Sequence, residues 1–230
     1  MSELPVSEAP TAGVKGETTV RVPSPAQRTV ARRTAEARAT IPDFECSIDI
    51  EVADAVARAQ AEGISWDATL VHACAQALRT VPSANGAYRD GRFEAYTRIN
   101  LGFVVAHADT YLIPTVFDAD ERSGAELSDE LVRLASQAQA RTLLAPAFSG
   151  ATFTLWNAGA LGLHRSGVVI NPPQAGALAC GAVREVAVVR DGQVVPGQAM
   201  TATLACDHRV LYGAVAAEFL TAVRDALTGA

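Results

Sequence analysis

The chain has 230 residues, 49% hydrophobic and 19% charged, and its 19 basic and 25 acidic side chains leave a formal net charge of −6. So much apolar material buries a sizeable core and excludes a disordered chain, while the negative balance argues against nucleic acid or an anionic membrane as partner, since either calls for a basic face. No signal pattern opens the chain and no apolar run reaches the ~18 residues of a membrane helix, so a soluble, cytoplasmic protein is expected.

Residues 1–20 mix Pro, Ser, Gly, Glu and Thr without periodicity and are expected as a flexible leader before a single domain over residues 21–230. Ser24 and Pro25 suit the cap and first position of a helix running to about Arg38, which Ile41-Pro42 stops. Phe44 to Val52 alternates as a strand, Ala53 to Glu62 reads as a short helix ended by Gly63, and Asp67 to Thr80 as a helix with Leu70, Val71, Cys74 and Leu78 buried. A turn at Asp90-Gly91 precedes a strand at Phe93 to Tyr96. The apolar runs Ile99 to Ala106 and Leu112 to Phe117 suit strands covered on both faces, and Leu127 to Arg141 is helical. Further strands are predicted at Ala151 to Leu155, Gly167 to Ile170 and Ala177 to Val183. Val186 to Val189 and Val194 to Val195 flank an Asp191-Gly192 hairpin turn, and Met200 to Cys206 leads to a closing helix from about Ala214 to Leu227. The pattern is α/β with a large mixed sheet.

The cysteines, Cys46, Cys74, Cys180 and Cys206, form no CxxC pair and lie in apolar runs, as buried reduced thiols do. No HExxH or ligand cluster points to a metal, and no GxSxG elbow to a nucleophilic serine. Cys206 stands two residues before His208. Of the four histidines, His72 sits mid-helix and His107 at a strand end, while His164 lies in the glycine-rich stretch 159–167. His208 follows an apolar strand between Asp207 and Arg209 and precedes a glycine and a helix.

Asp207 to Ala214 (DHRVLYGA) resembles the DHRxxDG signature of the dihydrolipoamide acyltransferase catalytic domain of 2-oxo acid dehydrogenase complexes, a fold shared with chloramphenicol acetyltransferase. Thr152 to Gly159 (TFTLWNAG) is similar to the family's TFTISNLG, and Ile170 to Ala175 (INPPQA) to its INPPQA. Asn100 to Val105 with Leu112 to Pro114, Val81 to Asn85, and Arg28 to Arg33 match further segments, so the likeness spans about residues 23–228. It implies a mixed sheet flanked by helices and a homotrimer, with eight trimers assembling in dehydrogenase cores. It also implies active sites at subunit interfaces, acyl-CoA as cosubstrate and no permanently bound cofactor. His208 is then the general base, Asp207, Arg209 and Asn157 support the site, and Thr154, His164, Asn171 and Pro172 contact substrate.

Two positions depart from the family. Trp156 stands where the family carries the Ser or Thr whose hydroxyl serves the oxyanion, and Tyr212 where it has Asp or Asn; an indole N–H or a phenol O–H then replaces the donor. Only about 20 residues precede the domain, which suits a stand-alone relative rather than a chain with its own lipoyl arm. The expected activity is O-acetylation of a small hydroxyl acceptor by acetyl-CoA, such as the hydroxymethyl of a tetronate in polyketide biosynthesis. The alternatives are a dehydrogenase core using dihydrolipoamide and an inactive trimeric scaffold.

Overall fold

The computed structural model describes residues 14, 16–107 and 110–229, so most of the expected leader lies outside the described residues. The first helix, α1 (Pro25–Thr40), starts on the predicted cap Ser24, which closes a capping box: Ser24 Oγ accepts from Gln27 N at 3.2 Å while Gln27 Oε1 accepts from Ser24 N at 2.8 Å. After β1 (Asp43–Glu51) come α2 (Ala53–Glu62) and α3 (Trp66–Thr80), then a hairpin of β2 (Gly86–Arg89) and β3 (Arg92–Ala95). Asp90 and Gly91 both take positive φ at its tip, the geometry of a two-residue turn. The run beginning at Ile99 is broken: β4 (Leu101–Phe103) joins the main sheet, whereas β5 (Val105–His107) leaves it to pair with β6 (Thr110–Leu112). β7 (Thr115–Val116) and α4 (Gly124–Ala140) follow, then β8 (Phe153–Asn157), β9 (Gly176–Cys180), β10 (Arg184–Arg190), β11 (Gln193–Asp207) and α5 (Gly213–Thr228).

The main sheet is mixed, in the order β1-β11-β9-β8-β4-β7, with β10 also paired to β11. β8 runs parallel to β9 and β4; the other pairs are antiparallel. Strand side chains alternate between faces. Phe153, Leu155, Leu178, Met200 and Leu204 meet Leu70, Leu78, Phe219 and Leu220 of α3 and α5 in the larger core. Trp156, Ala177, Ala179 and Ala205 on the other face pack under Ala37 and Ile41, at the C-terminal end of α1.

The expected strand from Leu112 to Phe117 is likewise split between β6 and β7, which lie in different sheets, and two further expectations need correction. Gly167 to Ile170 is not a strand: Val168 and Ile170 are buried against α1's side of the sheet, and that packing produced the apolar pattern. Val194–Val195 and Met200–Cys206 belong to one strand of 15 residues, β11. Pro196 is tolerated within it because residues 193–198 have only β10 as neighbour, leaving an edge where the missing N–H costs no ladder bond. Among the described residues no helix is long and apolar enough to cross a membrane.

Candidate active site

The His208 loop begins where β11 ends. Asp207 is 1% exposed, and its N–H donates to Ala175 O at 2.8 Å. Its carboxylate accepts from Arg209 three times, from the main-chain N at 3.0 Å, from Nε at 2.9 Å and from Nη2 at 2.7 Å. That pairing holds the guanidinium's pKa above its ordinary value. The Arg209 Cζ also lies 4.4 Å from the Tyr88 ring centroid, which ties the loop to the β2–β3 hairpin. The N–H groups of Val210 and Leu211 both return to Asp207 O, closing a tight turn before α5.

His208 is thus presented on a fixed backbone, its own N–H donating to Pro42 O at 3.0 Å. The imidazole is exposed and stands edge-on to two rings, Phe44 at 4.8 Å and 81° and Tyr212 at 5.7 Å and 88°. Tyr212 Oη donates to Arg209 O at 3.4 Å, a long bond. Neither imidazole nitrogen has a hydrogen-bond partner among the described residues, so a ring lone pair is available to take a proton. Cys206 is unsuited to nucleophilic work. It is fully buried, and the hydrogen bond with Cys46 followed by burial drives its thiol pKa far up.

The remaining site candidates lie elsewhere in the protomer. Trp156 faces Ala179, which faces Thr203, and Thr203 lies five residues before His208. At 3.3 Å per residue that is about 16 Å along the strand, so one chain does not bring indole and imidazole together. Asn157 links two elements: its Nδ2 donates to Asp67 Oδ1 at 2.6 Å, joining β8 to α3, and its Oδ1 accepts from Ala160 N. Thr154, expected at the substrate, is 1% exposed and donates to Gln174 Oε1 at 2.6 Å, beneath the surface rather than in a wall. His164 is exposed near Gly181, beyond the end of β9 and at the opposite end of the sheet from His208.

Asn171 and Pro172 line a cleft of about 310 Å³ between the N-terminal half of α1, the β5–β6 hairpin and residues 169–172. His208 is not among its lining residues. Sequence reasoning missed Arg33 here, and missed Phe44 and Tyr88 around the His208 loop. Arg33 was visible as part of the Arg28–Arg33 match, but nothing along the chain placed it against Asn171, whose Oδ1 accepts from Arg33 Nη1 at 3.3 Å.

A family model described as 2-oxoacid dehydrogenases acyltransferase (catalytic domain) matches residues 15–230. The chain belongs to that family. The dihydrolipoyllysine-residue acetyltransferase component of the pyruvate dehydrogenase complex of Rickettsia bellii is 30% identical over 208 residues, covering 86% of this chain and 50% of the relative. The chain therefore spans about half the length of the curated relatives it matches. A crystal structure of Azotobacter vinelandii dihydrolipoamide acetyltransferase superposes with a TM-score of 0.86 at 25% identity, covering 96% of each chain. Chloramphenicol acetyltransferase shares the fold, with a TM-score of 0.57 at 17% identity over 85% of this chain and 94% of its own.

Work on the Azotobacter protein concerns a serine, a histidine and an asparagine in the catalytic mechanism, the serine 52 residues before the histidine and the asparagine 4 after it. In this chain the same separations lead from His208 to Trp156 and Tyr212. The family member thus keeps the imidazole and carries different side chains at the two companion positions.

Proposed function

We propose that this chain is the core of a coenzyme A-dependent acyltransferase that moves an acetyl group between coenzyme A and a dihydrolipoyl thiol, with His208 as general base. The observation that carries this reading is the His208 loop, a backbone-pinned imidazole whose ring nitrogens are uncommitted. The acceptor thiol gives its proton to the imidazole, and the thiolate attacks the thioester carbonyl of acetyl-CoA. The tetrahedral intermediate collapses, breaking the bond to the coenzyme A sulfur, and that thiolate takes the proton back. The dihydrolipoyl acceptor takes the place of the hydroxyl acceptor expected from the sequence, because the relatives are dihydrolipoyl acetyltransferase components.

The cleft of one copy is served by His208 of the next, in a homotrimer. Two features support this: His208 is exposed, and it is absent from the cleft of its own chain. A second reading is O-acetylation of a small hydroxyl such as the hydroxymethyl of a tetronate. It is favoured by Trp156 and Tyr212, which put an indole N–H and a phenol O–H where the Azotobacter relative has a hydroxyl and an amide.

The test is release of free coenzyme A from acetyl-CoA with dihydrolipoamide or with hydroxymethyl acceptors, at a measured oligomer mass. Acceptor-dependent release that falls about a thousandfold in His208→Ala supports the proposal. Release with the hydroxyl acceptor alone selects the second reading. No release above background with any acceptor, equal in wild type and His208→Ala, leaves the inactive scaffold.

A further inference from the structure

The cleft beside α1 has apolar walls, among them Val30, Ile113, Phe148 and Ile170, and among the described residues Arg33 is its only charged lining residue. Arg33 makes one long bond, Nη1 to Asn171 Oδ1 at 3.3 Å, and forms no ion pair among the described residues. The guanidinium's other N–H groups are left for a ligand, and they present the fork that matches a carboxylate. The chain as a whole carries −6, so the cleft's one charge opposes the sign of the molecule. Arg33 is itself exposed, and an anion in the cleft would pair with it through charge-assisted hydrogen bonds.

The phosphates of coenzyme A fit poorly. They carry several charges and call for several donors, whereas this cleft offers one cation among apolar groups. At about 310 Å³ it is at the small end for a ligand site.

We propose that this cleft receives the acyl acceptor and that the preferred acceptor is a compact organic anion, its carboxylate or enolate held by Arg33. The assignment of the ligand as acceptor rests on the acyl-transfer reading above and holds for a thiol or a hydroxyl alike. Arg33 sets specificity and takes no part in making or breaking bonds.

Dihydrolipoate and dihydrolipoamide form a suitable probe pair, with the same thiols and chain but a carboxylate in one and a neutral amide in the other. Calorimetry on the intact protein should show wild type binding dihydrolipoate about tenfold more tightly than dihydrolipoamide. Arg33→Met should bring the two within about twofold through a loss of dihydrolipoate affinity, and Arg33→Lys should keep most of the preference. Equal binding of the pair by wild type, or a preference that survives Arg33→Met, overturns the proposal; so does a loss in Arg33→Met confined to acetyl-CoA. A charge preference that depends on Arg33, with neither probe acetylated, keeps the anion site and removes the acyl-transfer reading instead.

Discussion

At the scale of single residues, the site is a histidine whose setting matters as much as its identity. Asp207 holds the turn through three donors of Arg209 while itself almost fully buried. Asp207→Ala leaves those donors without their acceptor, and the expected cost is about 2 kcal/mol in chemical denaturation. Asp207→Asn keeps an acceptor for the main-chain N–H and should cost about half as much. Both variants should also lower kcat for acetyl transfer, because the turn that presents His208 loosens; an unchanged kcat in Asp207→Ala would show that the loop does not depend on the pair. His208 and its charged neighbours were legible from one segment of sequence. Phe44 and Tyr88 were not, because they reach the loop from strands more than a hundred residues earlier.

At the scale of elements, β8 and β9 carry the Trp156–Asn157 segment and depend on close backbone approach. Gly159 follows β8, and a Cβ there would come within 2.6 Å of the Ala182 main chain and of Gly181 O. Backbone does not yield as a flexible side chain does, so Gly159→Ala should cost about 2 kcal/mol and lower the melting temperature. An unchanged melting temperature would mean that the 158–166 segment shifts freely. Helix boundaries were legible because caps are local: Ser24 at the start of α1 and Gly63 at the end of α2. Strand boundaries were less so. The 167–170 run is apolar like a strand but packs without a ladder, and β11 continues through Pro196 because its neighbours change along its length.

Across the whole molecule, several acidic groups around α4 titrate below their ordinary values. Arg98 holds the Asp118 carboxyl down, Ser123 hydrogen bonds lower Glu126, and Arg133 lowers Glu130. A carboxyl whose pKa drops on folding adds stability that is complete above its unfolded value, here 3.8 for Asp118 and 4.5 for the glutamates, and that is lost as pH falls through the folded one. The melting temperature should therefore hold steady down to about pH 5 and then decline, with a shallower decline in Arg98→Met and Arg133→Met. Equal slopes in the variants would exclude these pairs as the source. The effect should be small, since the arginine partners and Glu126 are exposed.

The sequence by itself determined the helices, the alternation of β1, the two-residue hairpin turns and the family motif around His208, because each depends on residues a few places apart. Tertiary structure alone decided the rest. Whether Thr154 faces a ligand or Gln174, whether Trp156 lies near the imidazole, and that Arg33 is the one charge among the described residues of an apolar cleft all depend on which distant strands and helices meet. Those meetings are set by sheet register and by the two apolar faces of the sheet, and one face takes α3 and α5 while the other takes α1.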